Sequence, residues 1–433
     1  MRLEILTTGS ELLLGSVLNT HVRLFAEALF PLGLRIARQT TVGDGEPIRT
    51  ALAEICPRSD IVLVTGGLGP TTDDVTREAV ADLFGLKMIH DPEVMAAIEA
   101  RFARRGLTMS ARNARQAERP PEATVLPNPF GTAPGLYLPP MPTKAVFSIQ
   151  KSVVRQNPPL TSEHCPLTTP HLFILPGPPR ELRPMVADAV IPMLRKIIPP
   201  QPEVVMRVLR VGGVGESLVE ERVGERLLAL GIELGYCARP GEVDVRLIGA
   251  PGTVARAEEI VRAEFPTELF SDDARELEAV VIQRLTALGE TLATAESCTG
   301  GGLAQRLTNV PGASAVFREG FVPYANEAKT RTLGVAPELL AAHGAVSREV
   351  AQALAEGARR VAGVDHALAT TGIAGPGGGS PEKPVGTVFI ALATKNGPTL
   401  VQSHKFPTDR ETFKQLTIQT ALDLLRRALA SGS

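Results

Sequence analysis

Cysteine is scarce and isolated in this chain: the four, Cys56, Cys165, Cys237 and Cys298, include no C-x-x-C pair. Neither a disulfide scaffold nor a structural zinc site is therefore expected. Basic charge is not in surplus either, with 45 Lys and Arg against 47 Asp and Glu, a formal net charge of −2 and no polybasic run. That balance argues against a dedicated nucleic-acid or membrane-surface protein. No apolar run reaches the 18 or so residues of a membrane span. Met1 to Leu6 opens directly into a strand-like pattern with Glu4 inside it, unlike a secretory leader. The expectation is a soluble, cytoplasmic protein with no membrane and no nucleic-acid partner.

What is present is globular composition, 44% hydrophobic and 21% charged, over 433 residues, which is long enough for two or three domains. The most informative stretch is Thr291 to Gly302, Thr-Leu-Ala-Thr-Ala-Glu-Ser-Cys-Thr-Gly-Gly-Gly. It reads as a strand, a tight turn and a helix start, with Ser297 at the strand's end. Glycines there let backbone N–H groups of Thr299, Gly300 and Gly301 approach a substrate and face developing negative charge. Taken alone, the same stretch is equally a connecting βα turn.

The first 200 residues alternate strand and helix. Leu3 to Leu6, Leu34 to Val42 and the wholly apolar Ile61 to Val64 read as strands, Pro47 to Ile55 as a helix, and Leu172 to Leu175 as a later strand. This predicts an open, doubly wound parallel sheet with its binding site at the strands' carboxyl ends. After the buried strand comes Thr65-Gly66-Gly67-Leu68-Gly69-Pro70-Thr71-Thr72-Asp73-Asp74, opening a helix at Val75. Gly66, Gly67, Gly69 and Thr71 suit an anion cradle. Asp73 and Asp74 suit a divalent cation held against bound phosphates, although one of them is also expected as a helix cap. Asp44, Glu11 and Glu181 add carboxylates at other strand ends, and Pro178 and Pro179 are expected to aim Arg180 and Glu181 into the same cleft. Pro139 to Pro170 is rich in proline with little periodicity and reads as an inserted surface loop.

The middle, 201–270, reads as a small α+β domain: strand Val204 to Val211, helix from Glu216, two more strands and a helix from Thr253. Its Gly212-x-x-Gly215 loop is followed by Glu216, Glu220, Glu221 and Glu225, which would repel a phosphate backbone. From 271 to 433 a second α/β sheet domain is expected. A Ser297 nucleophile needs a base. His343, His366 and His404 each read more simply as cap or strand residues, whereas Lys329 projects from the first turn of a helix for which Asn326 is a candidate N-cap. The positive end of that helix would lower the lysine pKa, although an exposed helix lysine remains the simpler reading of its position. Loops Thr370 to Gly379 and Phe406 to Arg410 offer backbone donors, Thr371 and a cation for phosphate.

Gly9 to Gly15, Val42-Gly43-Asp44, Thr65 to Asp74, Asn128 to Gly135 and Pro176 to Pro179 together resemble the N-terminal, molybdopterin-binding-like domain of the CinA family of competence/damage-inducible proteins. Ala293 to Gly302, Tyr324 to Lys329, Thr370 to Gly379, Pro384 to Thr387 and Asp409-Arg410 resemble that family's C-terminal nicotinamide mononucleotide deamidase domain. The resemblance implies two α/β domains, 1–200 and 271–433, joined by a KH-like domain at 201–270. It implies a bifunctional hydrolase: a metal-dependent ADP-ribose pyrophosphatase using a divalent ion near Asp44, Asp73, Asp74, Glu11 and Glu181, and a cofactor-free deamidase. In the latter it places Ser297, Lys329 and Tyr324 as catalytic, with Thr299, Gly300, Gly301, Asn326, Thr371, Gly375 and Arg410 holding substrate. A homodimer is the expected assembly. The alternative is a nucleotide- or pterin-binding scaffold in competence or damage responses, without turnover at one or both sites.

Overall fold

The structure, a computed structural model, describes residues 1–142 and 168–431. Most of the Pro139 to Pro170 insertion lies outside the described residues. The chain divides into two compact units, Met1–Glu203 and Val204–Ser433.

In the first unit, strands Leu3–Thr8 (β1), Ile36–Val42 (β2) and Ile61–Thr65 (β3) precede a short antiparallel pair, Ile89–His90 (β4) and Glu118–Arg119 (β5). Thr124–Leu126 (β6), Gly135–Leu138 (β7) and His171–Leu175 (β8) follow. The main sheet has the order β2-β1-β3-β8-β7-β6, parallel from β2 to β8 and antiparallel at β7 and β6. Every residue of β1 and β3 is buried, as strands covered on both faces must be. Alternation then sends Leu6, Val62, Val64 and Ile174 to one face, against helices Glu46–Ile55 and Thr76–Phe84. Ile5, Leu63, Phe173 and Leu175 go to the other, against His21–Leu29 and Pro179–Met185. Each such side chain contributes about 1.5–3 kcal/mol on full burial.

The second unit holds two sheets. Val205–Gly212 (β9), Glu233–Arg239 (β10), Glu242–Gly249 (β11) and Leu269–Ser271 (β12) form an antiparallel sheet in the order β10-β11-β9-β12, with helices Glu216–Leu228 and Pro251–Glu264 packed on it. The last strand was not anticipated. Leu292–Glu296 (β13), Phe317–Phe321 (β14), His366–Gly372 (β15), Thr387–Thr394 (β16) and Leu400–Lys405 (β17) form a sheet in the order β14-β13-β15-β16-β17, its first three strands parallel. One face carries Leu292, Leu368, Ile390 and Leu392 against helices Leu277–Leu288 and Arg410–Ser431. The other is nearly all alanine, Ala295, Ala367, Ala369, Ala391 and Ala393, under helix Arg348–Ala362. Small side chains bring that helix close, and Gly357 is required on it because a Cβ there would lie 2.3 Å from the Leu333 carbonyl oxygen. Ser347 is the N-cap of this helix, its hydroxyl accepting from the Val350 N–H.

Among the described residues, no helix is long and apolar enough to cross a membrane.

Candidate functional site

In the first unit the parallel strands end at a cleft of about 440 Å³. Glu11, Asp44, Asp73, Asp74 and Glu181 line it together with Gly66, Gly67 and Gly69. These are eight of the ten positions expected there; Thr71 and Arg180 lie outside the lining. Gly66 is needed on two counts: its φ is +100°, and a Cβ would sit 2.4 Å from the Thr8 hydroxyl oxygen. The helix following the loop begins at Thr76 with Val75 at the N-cap and no side-chain cap. Neither Asp73 nor Asp74 caps it, contrary to expectation: the Thr71 N–H and hydroxyl donate to Asp74, closing the turn on itself. Arg180 also departs from expectation; its side chain is 74% exposed and only Glu181 reaches the cleft.

His21 is a cleft residue that sequence reasoning missed. It is buried, its Nδ1 lies 2.9 Å from the Thr65 hydroxyl, and burial holds its pKa below 6.5 despite a Gly177 backbone contact and the Glu11 charge. Asp44 accepts from the Ser10 N–H and hydroxyl at 2.9 and 3.0 Å. Among the described residues no three His, Cys, Asp or Glu side chains converge closely enough to cage a metal ion. The oxygen-only carboxylate set nevertheless fits a magnesium-like ion, which takes one or two carboxylates and completes its shell with water and substrate phosphates.

In the last sheet β13, β14 and β15 run parallel, so the segments following each emerge at one edge. Ser297 follows β13 and its N–H donates to the Thr370 carbonyl at 3.0 Å. Tyr324 follows β14, and Thr371 is the penultimate residue of β15. Lys329 lies in helix Asn326–Leu333, is 1% exposed, and its Nζ donates to the Tyr324 carbonyl at 2.9 Å. Burial lowers its pKa below 10.5, opposed by Cys298 and Glu327. The direction matches the sequence reading but the cause does not: desolvation, not the helix terminus, is the leading influence. The N-cap is Ala325, without a side-chain bond, so Asn326 is the first helical residue and not the cap. Arg410 donates from Nη1 to the Gly375 carbonyl at 2.8 Å and from Nη2 to the Tyr324 hydroxyl at 3.4 Å, drawing three expected positions together. Thr371 donates to the Ala345 carbonyl at 2.7 Å.

The glycine turn is organised by a residue not singled out from sequence. Glu296, fully buried, accepts from the Thr299 hydroxyl and the N–H groups of Gly301, Leu303 and Ala304 at 2.7–3.0 Å. The Gly301 N–H is therefore turned away from the cleft, which corrects its expected role as an oxyanion donor; the Thr299 hydroxyl is likewise turned inward, and Gly300 is exposed at φ +64°. A Cβ on Gly300 would lie 3.8 Å from Lys414 Nζ, so the last helix brings a second cation, one turn beyond Arg410. Glu296→Ala strands the three backbone donors of Gly301, Leu303 and Ala304 and is expected to cost about 3 kcal/mol or more; calorimetric melting of the variant should fall by several degrees, and an unchanged midpoint would refute the role. Cys298 is buried and its thiol is pushed up to about 12, principally by burial, which removes it as a nucleophile. The three histidines pair elsewhere, His366 with Glu290, His343 with Glu349 and His404 with Gln402.

These features define a three-module α/β protein with a glycine-shaped strand-end loop in its first and last sheets. Residues 4–196 match the family model "Probable molybdopterin binding domain", 206–264 "Damage-inducible protein CinA KH domain" and 274–429 "CinA C-terminal domain". The chain is 43% identical over 424 residues to a CinA-like protein of Akkermansia muciniphila, covering 98% of this chain and 96% of that one. It is 39% identical over 441 residues to a CinA-like protein of Gemmatimonas aurantiaca, covering 99% and 97%. A solved structure, the competence/damage inducible protein CihA from Agrobacterium tumefaciens, is 46% identical, covers 37% of this chain and 98% of its own, with a TM-score of 0.35. The chain belongs to the CinA family.

Proposed function

We propose that the C-terminal site hydrolyses the carboxamide of nicotinamide mononucleotide to nicotinate mononucleotide and ammonia. The observation that carries this reading is Lys329: an amine 1% exposed, with its pKa lowered by burial, at the strand edge that also presents Ser297. A neutral amine is a base, and a serine hydroxyl at a strand end is the group it would activate. Lys329 Nζ takes the Ser297 proton as Oγ bonds to the carboxamide carbon, and the Gly300 N–H stabilises the oxyanion. The C–N bond breaks as Lys329 returns the proton to the departing nitrogen, releasing ammonia. Water then attacks the acyl ester with Lys329 as base, regenerating Ser297. Tyr324, held by Arg410, borders the ring, while Arg410 and Lys414 provide positive charge for the ribose phosphate. This hydrolysis requires no cofactor.

The N-terminal cleft is proposed as a metal-dependent ADP-ribose pyrophosphatase. One or two of the cleft carboxylates Asp44, Asp73 and Asp74 would hold a divalent ion there, with water and substrate phosphates completing its shell, and the ion would supply charge neutralisation at the pyrophosphate; Gly66 and Gly67 let the backbone approach the phosphates. Asp73→Ala combined with Asp74→Ala should lower ADP-ribose turnover by about 100-fold or more, measured as ribose 5-phosphate release at saturating magnesium. Unchanged turnover would remove this assignment.

A further inference from the structure

Helix Gly302–Thr308 follows the Ser297 turn, and Glu296 holds its first N–H groups. Its last turn carries Arg306, whose guanidinium is divided between two partners. Nε and Nη2 donate to Glu278, the former at 3.1 Å, and Nη1 donates to the Gln419 side-chain oxygen at 2.8 Å. Gln419 is 4% exposed and lies on helix Arg410–Ser431, about two and a half turns beyond Arg410. Its Nε2 donates to Glu242 Oε2 at 2.5 Å. Glu242, 5% exposed, begins β11 in the KH module, and its other oxygen lies 2.8 Å from Arg239 Nη2. Gly241 before it fits directly onto the glutamine: a Cβ there would lie 3.0 Å from Gln419 Cγ. The hairpin joining β10 and β11 thus reaches the helix after Ser297 through one buried side chain.

The residue at this junction must accept from a guanidinium on one side and donate to a carboxylate on the other. Glutamine does both without charge of its own, whereas glutamate would repel Glu242 and an apolar residue would leave Glu242 and Arg306 each short of a partner. The same helix is tied a second time to the segment before β12, where Arg426 Nη2 donates to the Thr267 carbonyl at 2.6 Å. Its first turn places Arg410 against Gly375 and Tyr324. We infer that Gln419 is a positioning residue for the Ser297 turn: through it the KH-module hairpin holds helix Gly302–Thr308, and with it the Gly300 backbone, in place. This gives the KH module a part in the C-terminal site. Its effect on rate rests on the reading of that site as a deamidase.

In the full chain, Gln419→Glu should lower kcat for ammonia release from nicotinamide mononucleotide by about ten- to a hundredfold, with KM within about twofold of wild type. Combining Glu242→Gln with Gln419→Glu exchanges the two groups, so that the carboxylate accepts both from Arg306 and from the amide now on β11. That pair should recover kcat to within about threefold of wild type, which a general loss of stability would not allow. Hydrogen exchange in the peptide covering 296–306 should quicken in Gln419→Glu and slow again in the pair. Should Gln419→Glu not fold, Gln419→Met, close in volume, replaces it in both measurements. With an active wild-type chain, unchanged kcat in the single variant, or a loss that the exchanged pair does not restore, overturns the inference. If the wild-type chain releases no ammonia, the deamidase reading falls and exchange alone decides: quickened and then restored exchange upholds the role of Gln419, and unchanged exchange overturns it.

Discussion

Ser297→Ala is expected to eliminate ammonia release from nicotinamide mononucleotide, lowering the rate by on the order of 10³-fold or more. The change removes the atom that forms the acyl bond while leaving the surrounding frame intact. Ser297 is tied into the sheet through its N–H, not its hydroxyl, which makes no hydrogen bond among the described residues. Glu296 continues to hold the turn through Gly301, Leu303 and Ala304. The melting midpoint should therefore stay within a degree or two of wild type, on the usual scale of surface changes. Residual binding of the product nicotinate mononucleotide would separate lost chemistry from lost recognition. Wild-type turnover in Ser297→Ala, measured by coupled ammonia assay, would discard the nucleophile.

Lys329→Met should lower the same rate by roughly 10²–10⁴-fold, the range of a positioned general base, without lowering stability. The amine is buried and its folded-state pKa lies below the ordinary 10.5. Between the folded and unfolded values the unfolded chain binds more protons, so stability conferred at this position is present above 10.5 and is lost as pH falls through the lowered value. Methionine removes that penalty, and its melting midpoint should equal or exceed wild type near neutrality, with a flatter dependence on pH. Activity should follow the same titration: kcat of the wild-type chain rises with pH as Lys329 loses its proton and then levels, a limb absent from the variant's residual rate. Near-wild-type activity, or an unaltered pH limb, would exclude Lys329 as the base.

The elements around both sites were legible because periodicity and punctuation agree there. The strands read at Leu3 to Leu6, Ile61 to Val64 and Leu172 to Leu175 recur as β1, β3 and β8, each longer by a residue or two. The segment between helix Thr76–Phe84 and β6 was not read, although Asp91 before Pro92 carries an N-cap and first-turn signature and does cap helix Pro92–Arg104. Which side chains would converge was partly legible, since Ser297, Tyr324, Lys329 and Thr371 each follow or end a parallel strand. What those groups bond to was not. Glu296 next to a serine reads as a further acid, and only tertiary placement turns it inward as the staple of a helix start. Thr71 looked like part of a phosphate cradle, yet its hydrogen bonds are spent on Asp74 within the same turn. Lys329 illustrates the limit best: the pKa direction was readable from the helix start, whereas its main cause, burial, depends on chain packed over it from elsewhere.

The most direct test of the C-terminal reading is peptide mass spectrometry of the full chain, acid-quenched during turnover of nicotinamide mononucleotide. The expected result is a peptide containing Ser297 that gains the mass of the substrate less one ammonia, with the modification mapped to Ser297. Ammonia release accompanied by modification of Cys298, or by no modified peptide in either the wild-type chain or a slowed variant, would contradict it.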